Sequence, residues 1–279
     1  MKVDFMIVGA QKCGTTTLFD ILDSHLSIVG SHPKETHFFS CSSNWRKELP
    51  EYEKLFKSRE DSLYFEASTT YTFYPLRNLR IWDDIFEYNP KMKFIYLVRN
   101  PIDRIVSSYM HTYERGYTDL KLEEALIEKR LFIDITRYYT QINPYIKKFG
   151  IQNVLIIDFD DFIHHRESVL QEISGFLNID FNLFKNYQNV HSNVSGDSSK
   201  KHHKFDNPSI SLKIIRKLFP PLWNRMVDNS KRHFKEKPVL TDEFKEMIIN
   251  MLELEIIELQ KLLNKDLSAW MSIEARNRS

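Results

Sequence analysis

Phe5-Met6-Ile7-Val8-Gly9-Ala10-Gln11-Lys12-Cys13-Gly14-Thr15-Thr16-Thr17-Leu18 stands near the start of the chain. A short apolar run leads at once into a Gly/Lys/Thr turn, after which Leu18, Ile21 and Leu22 recur at helical spacing. A buried strand, an anion-cradling loop and a helix laid end to end read this way, because loop amides and the helix N-terminus both favour negative charge. Thr15 and Thr16 would add hydroxyls in the first turn, and Lys12 a mobile cation. An ordinary glycine turn with a surface lysine is the bland alternative. The spacing is not that of an ATP-binding P-loop, in which four residues separate the first glycine from a Gly-Lys-Ser/Thr group; here Lys12 precedes Gly14 by two.

A chain of 279 residues with 42% hydrophobic content can form one large domain, and residues 1–279 are read as that single domain. Lys and Arg number 39 against 38 Asp and Glu, so no overall field attracts nucleic acid. Cys13 and Cys41 make neither a metal spacing nor a disulfide framework. No signal peptide is apparent, no run approaches the length of a spanning helix, and a soluble, cytoplasmic protein is expected. The 20 Phe and 13 Tyr supply material for a core or for a sugar-facing groove without choosing between them.

A second signal lies at Lys93-Phe94-Ile95-Tyr96-Leu97-Val98-Arg99-Asn100-Pro101, which reads as a strand ending in arginine, a proline turn and a helix from near Ile102 that carries Ser107. Arginine offers a planar charged fork to phosphate oxygens, and serine one more donor. A surface ion pair and a neutral helix serine are the ordinary alternatives. Further strands are expected at 3–8, 27–29, 63–66 and 153–158. Helices are expected at 48–56, 75–86, 120–128, 134–149 with a bend at Pro144, 167–177, 211–219, 222–234 and from Asp242 onward. Asp160 and Asp161 read as helix-capping carboxylates, and residues 189–204 as a polar loop. The fold class is α/β, a three-layer P-loop-type fold with a central parallel sheet flanked by helices.

The segment from Gly9 to Thr17 resembles the 5'-phosphosulfate loop of sulfotransferases that use 3'-phosphoadenosine 5'-phosphosulfate (PAPS). Lys34-Glu35-Thr36-His37-Phe38-Phe39 is similar to the Lys-Glu-X-His-Phe-Phe segment of the heparan sulfate type carbohydrate sulfotransferases. Arg99 and Ser107 match the arginine and serine that hold the 3'-phosphate in that family. The resemblance extends through Tyr138, whose place near the cofactor or in the core stays open, to Leu262-Leu263-Asn264-Lys265-Asp266-Leu267-Ser268-Ala269-Trp270, and so covers nearly the whole chain.

The resemblance implies Glu35 as general base and Lys12 as the cation on the leaving phosphate; His37 is read either as a polar member of the catalytic set beside them or as a satisfied, partly buried histidine. It implies Gln11, Lys12, Cys13, Gly14, Thr15, Thr16, Thr17, Arg99 and Ser107 around the donor. Adenosine 3',5'-bisphosphate would be the product. The acceptor would be a hydroxyl, or less readily an amine, of a carbohydrate or glycolipid. No metal is expected. One departure stands out: the lysine that follows the strand glutamate in the heparan sulfate enzymes is Ala67 here, so its duty is vacant or filled from elsewhere.

Lys213, Arg216, Lys217, Arg225, Lys231, Arg232, Lys235 and Lys237 could form a basic rim for an anionic glycan, or an ordinary solvated face. The rival enzyme reading is an ATP-dependent P-loop kinase. It is opposed by the lysine spacing and by Val98-Arg99, where a magnesium-holding aspartate would be expected. The non-enzyme reading is a family member that binds nucleotide or glycan without turnover.

Overall fold

The computed structural model describes residues 2–185, 187–189, 209–228, 232, 234 and 236–273. The polar loop expected at 189–204 lies outside the described residues from 190 onward, as do Lys231, Lys235 and the side chain of Arg225.

The chain runs β1 (Phe5–Gly9), α1 (Thr15–Asp23), β2 (Ile28–Gly30), α2 (Phe38–Cys41), α3 (Trp45–Glu53), β3 (Leu63–Ala67), α4 (Ile81–Tyr88), β4 (Lys93–Val98) and α5 (Pro101–Glu114). It continues through α6 (Leu122–Glu128), α7 (Leu131–Asp134), α8 (Tyr138–Phe149), β5 (Val154–Asp158), α9 (Phe159–His164), α10 (Arg166–Leu177), α11 (Ile210–Leu218), α12 (Pro220–Asp228) and α13 (Asp242–Leu263). Every strand pairing is parallel, in the order β2-β3-β1-β4-β5.

β1 is the centre of this sheet, paired with β3 through Phe5↔Phe65 and with β4 through Phe5↔Lys93. All five of its residues are buried, which is why it reads as a continuous apolar run rather than as an alternation. The chain leaves β1 towards β2 and β3 on one side and later returns to β4 and β5 on the other. The order therefore reverses between β1 and β4, and the crevice at such a switch, outside the carboxyl ends of the strands, is where open α/β sheets bind ligands.

Helix boundaries depart from the periodicity in ways that side-chain chemistry explains. The helix expected over 134–149 starts only at Tyr138, as α8, after the separate α7 ends at Asp134. Thr136 Oγ1 donates to the Phe132 carbonyl at 2.6 Å, and Arg137 has φ −74° and ψ 68°. Pro144 sits inside α8 without ending it. Pro220 starts α12 as well as following α11, in keeping with proline's preference for the first helical position. Asp158, rather than Asp160 or Asp161, caps the helix that follows β5, its side chain accepting from the Asp160 N–H at 3.0 Å.

Asp161 instead joins Asp158 in gripping Lys265, whose Nζ lies 2.5 Å from Asp158 and 2.8 Å from Asp161. That clamp, with Trp270 and Leu267 buried beyond it, ties the end of α13 to the site end of the sheet. α13 lays Ile248, Leu252, Ile256 and Leu259 against α8, β5 and α5 as one stripe. Leu252→Ala is expected to cost about 2–5 kcal/mol of unfolding free energy in urea titration, since Leu252 is fully buried.

Candidate active site

Parallel pairing leaves backbone donors unused only where a strand ends, and the Gly9–Gly14 loop begins where β1 stops. A Cβ on Gly9 would lie 2.3 Å from Thr72 Oγ1 and 2.8 Å from the Tyr96 ring, so only glycine lets β1 pass between its neighbours. Gly14, the N-cap of α1, has φ 86°, and a Cβ there would meet the Phe159 ring at 2.9 Å. Lys12 also takes positive φ, at 70°, an uncommon conformation for a side-chain-bearing residue. Left-handed residues in a short loop let neighbouring N–H groups turn to one side, the backbone geometry of an anion nest.

Phe159 joins the two halves of the site. One part of its ring packs on Gly14, while the Arg99 guanidinium lies 4.7 Å from its centroid. Arg99 follows β4, and its carbonyl accepts the Tyr138 hydroxyl at 2.7 Å. Asn100 caps α5 by accepting from the Ile102 N–H at 3.1 Å, which fixes the turn between Arg99 and the helix. Ser107 is buried on α5, and its neighbour Ser108 donates to Gln11 Oε1 at 3.1 Å. The loop, Arg99 and the Ser107 turn are thus gathered at the switch between β1 and β4.

Thr16 is half-buried, whereas Thr15 and Thr17 are buried in α1. Cys13 departs from the expected donor-facing set. Its thiol is fully buried, 3.9 Å from the Tyr138 hydroxyl, its N–H bonds the Ala10 carbonyl at 3.2 Å, and burial pushes the thiol up to about 12. The residue underpins the loop from the core side because an apolar, neutral side chain is what that position buries.

Glu35 lies on the other side of β1. Its Oε1 is 3.0 Å from Lys34 Nζ, and its Oε2 accepts from the Thr69 N–H and from Thr69 Oγ1, each at 3.3 Å. His37 Nε2 stands 3.9 Å from the same Oε2, while His37 Nδ1 is 2.9 Å from Thr70 Oγ1. The carboxylate remains one-third exposed. Thr69 belongs to the 3₁₀ turn Thr69–Thr72, whose Thr72 Oγ1 donates to the Val8 carbonyl at 2.8 Å. The Lys34–Phe39 segment and the Gly9–Gly14 loop therefore meet at the same end of the same strand. Phe38 and Phe39 anchor this segment: Phe38 stacks on Tyr52 at 4.2 Å, and Phe39 packs among Trp45, Tyr71 and Tyr88.

Beneath Glu35 lies a group that the chain order conceals. Glu66, at the end of β3, is fully buried and accepts four hydroxyls. Tyr52 and Tyr71 donate to Oε1 at 2.6 and 2.7 Å, and Ser68 and Thr36 donate to Oε2, Ser68 at 2.7 Å. Strand alternation places Glu66 on a buried face, but its donors come from four places in the sequence. Ala67, the position of the missing lysine, is also fully buried. On the rim, Arg232 pairs with Asp119 and Lys237 with Asp103, while Lys213, Arg216 and Lys217 are exposed. Among the described residues no group of three or more His, Cys, Asp or Glu could hold a metal ion, and no helix is long and apolar enough to cross a membrane.

A parallel sheet with an anion nest and an arginine at its switch point defines a nucleotide-type phosphoryl or sulfuryl transferase scaffold. The sulfotransferase domain model matches residues 2–266, so the chain belongs to the sulfotransferase family and is a PAPS-dependent sulfotransferase. It is 26% identical over 244 residues to mouse heparan sulfate glucosamine 3-O-sulfotransferase 5, covering 77% of this chain and 68% of that one. It is 22% identical to the Xenopus laevis bifunctional heparan sulfate N-deacetylase/N-sulfotransferase 1, covering 98% of this chain but 31% of that protein. Its fold is shared with a sulfotransferase from Alicyclobacillus acidocaldarius, at TM-score 0.70 and 21% identity over 98% of this chain and 100% of the other.

Burial pushes the Glu66 carboxyl above its ordinary value, with the four hydroxyl donors pulling it back. A raised folded value means that the stability tied to this proton is complete below the ordinary carboxyl range and is lost as pH rises through the folded value. Gln cannot lose that proton. The stability of the wild type minus that of Glu66→Gln should therefore be larger at about pH 5 than at about pH 7 in urea titrations.

Proposed function

We propose that the chain, as one domain over residues 1–279, transfers the sulfuryl group of PAPS to a hydroxyl of a carbohydrate or glycoconjugate, with Glu35 as general base. The observation that carries this reading is the Glu35 carboxylate, partly exposed, held by Thr69 and flanked by Lys34 and His37 at the strand end that bears the anion nest. The heparan sulfate glucosamine 3-O-sulfotransferase relative supports a sugar hydroxyl as acceptor over an amine.

The glycine cradle suits a 5'-phosphosulfate: Gly14 and Thr16 present amide and hydroxyl donors, and Lys12 neutralises charge on the departing phosphate oxygen. Arg99 and Ser107 hold the 3'-phosphate, with Arg99 braced by Phe159 and Gln11 by Ser108. As the acceptor oxygen bonds to sulfur, the bond from sulfur to the 5'-phosphate oxygen breaks and Glu35 takes the hydroxyl proton. Adenosine 3',5'-bisphosphate leaves, and no metal enters the scheme. Lys34, beside the base, is a cation available for the role that Ala67 cannot fill. A cytoplasmic location belongs to the same proposal, supported by Cys13 and Cys41 both being free thiols.

Calorimetry should show adenosine 3',5'-bisphosphate binding at least about tenfold more tightly than ADP, with Arg99→Ala erasing the preference. Equal affinity in the wild type would sink the 3'-phosphate assignment. Transfer of labelled sulfate from PAPS to de-O-sulfated heparan sulfate should fall about 10²- to 10⁴-fold in Glu35→Gln while bisphosphate affinity is unchanged. Retained turnover would remove Glu35 as the base.

A further inference from the structure

Glu66 does not itself bond Glu35, yet the residues that flank Glu35 and the turn that bonds its Oε2 run back to it. Thr36, the residue after Glu35, donates its hydroxyl to Glu66 Oε2. Ser68, the residue before Thr69, donates to the same oxygen at 2.7 Å, and Thr69 supplies both of the hydrogen bonds that reach Glu35 Oε2. The Ser68 hydroxyl oxygen also accepts the His37 N–H at 3.0 Å, and the Tyr71 hydroxyl oxygen, itself a donor to Glu66 Oε1, accepts the Phe39 N–H at 3.2 Å. Residues 36, 37 and 39 of the base segment are thus fastened to one carboxylate, directly or through one hydroxyl.

We infer that Glu66 is a positioning residue of the transfer reaction, fixing the Glu35 carboxylate by orienting Thr36 on one side of it and the Ser68-Thr69 turn on the other. This rests on Glu35 being the base. A carboxylate at this depth costs stability that an apolar side chain of similar size would not. What it supplies is geometry. Two oxygens with two lone pairs each match four hydroxyl donors, and all four can donate only to the ionised carboxylate, the form that prevails above its raised folded value. A glutamine here presents an NH₂ group to two of those hydroxyls, which must turn to accept, and their hold on Thr36 and Ser68 or on the tyrosines is lost. Glu35 Oε2 is held by the two Thr69 bonds of 3.3 Å, while Lys34 holds Oε1 at 3.0 Å, so the Thr69 side is the part of its geometry that depends on Glu66. A displacement near 1 Å at a reacting group is worth about 10²-fold in rate.

Hydrogen exchange resolved at single amides tests this without any acceptor. In full-length Glu66→Gln, exchange at His37 and Phe39 should rise at least about tenfold relative to α13 amides, whereas Glu35→Gln should leave both protected. Labelled-sulfate transfer to de-O-sulfated heparan sulfate should show kcat lowered about 10²-fold in Glu66→Gln with bisphosphate affinity unchanged. The Glu35→Gln/Glu66→Gln double variant should be no slower than Glu35→Gln alone, because Glu66 acts through Glu35. Ile248→Val, a buried α13 change remote from the site, controls for loss of stability and should leave kcat unaltered. If Glu66→Gln does not fold, Thr36→Val and Ser68→Ala each take its place, with a kcat loss of about tenfold expected. Unchanged exchange at His37 and Phe39, or a looser segment with wild-type kcat, would overturn the inference. Full turnover by Glu35→Gln would instead overturn the base assignment, whatever Glu66 does.

Discussion

The close packing around the carboxyl end of β1 is the constraint on which the molecule depends. β1 is hydrogen-bonded on both sides and the Ala10 N–H still bonds the Leu97 carbonyl, so its backbone has donors to offer only beyond Ala10, and the place of a Gly9 side chain is taken by Thr72 and Tyr96. The lack of a side chain at Gly9 lets three segments meet at one point: the anion nest, the turn that follows β3 and the end of β4. Each brings a different chemistry. The nest brings backbone donors, the β3 turn reaches Glu35 through Thr69, and β4 brings Arg99.

Aromatic packing holds these segments in register. Phe159 fits between Gly14 and Arg99, so the ring couples the glycine loop to the arginine that ends β4. On the opposite side, Phe38 and Phe39 bury the base segment among Tyr52, Tyr71, Trp45 and Tyr88. The hydroxyls of Tyr52 and Tyr71 are then directed at Glu66. Tyrosine suits this junction because it buries a large apolar ring and still delivers a donor at its tip. The abundance of aromatic residues thus serves the core beneath the site more than the surface above it.

Folding adds detail to two parts of the motif-based reading. Cys13 lies within the loop but faces inward, where burial keeps its thiol neutral. A sequence position inside an anion loop does not specify which way a side chain turns, because the nest is made from backbone groups. Arg232 and Lys237, read as either a basic rim or a solvated face, are paired with Asp119 and Asp103. Their acids lie more than a hundred residues away in the chain, and no local pattern announces such a pair.

What the sequence determined by itself was the set of strongly local features. The apolar run into Gly9 and Gly14, the strand ending at Arg99 and the stripe along α13 each depend on neighbours a few residues apart, so periodicity and turn chemistry expose them. They are enough for the parallel α/β class, and the anion loop, the Lys34–Phe39 segment and Arg99 with Ser107 are enough for the family resemblance. Tertiary structure alone decided which residues meet. Phe159 against Gly14, Lys265 against Asp158, and the four hydroxyls around Glu66 join segments separated by up to more than a hundred residues. Such contacts arise because parallel strands carry distant segments to one end of the sheet, and that placement depends on topology rather than on local propensity.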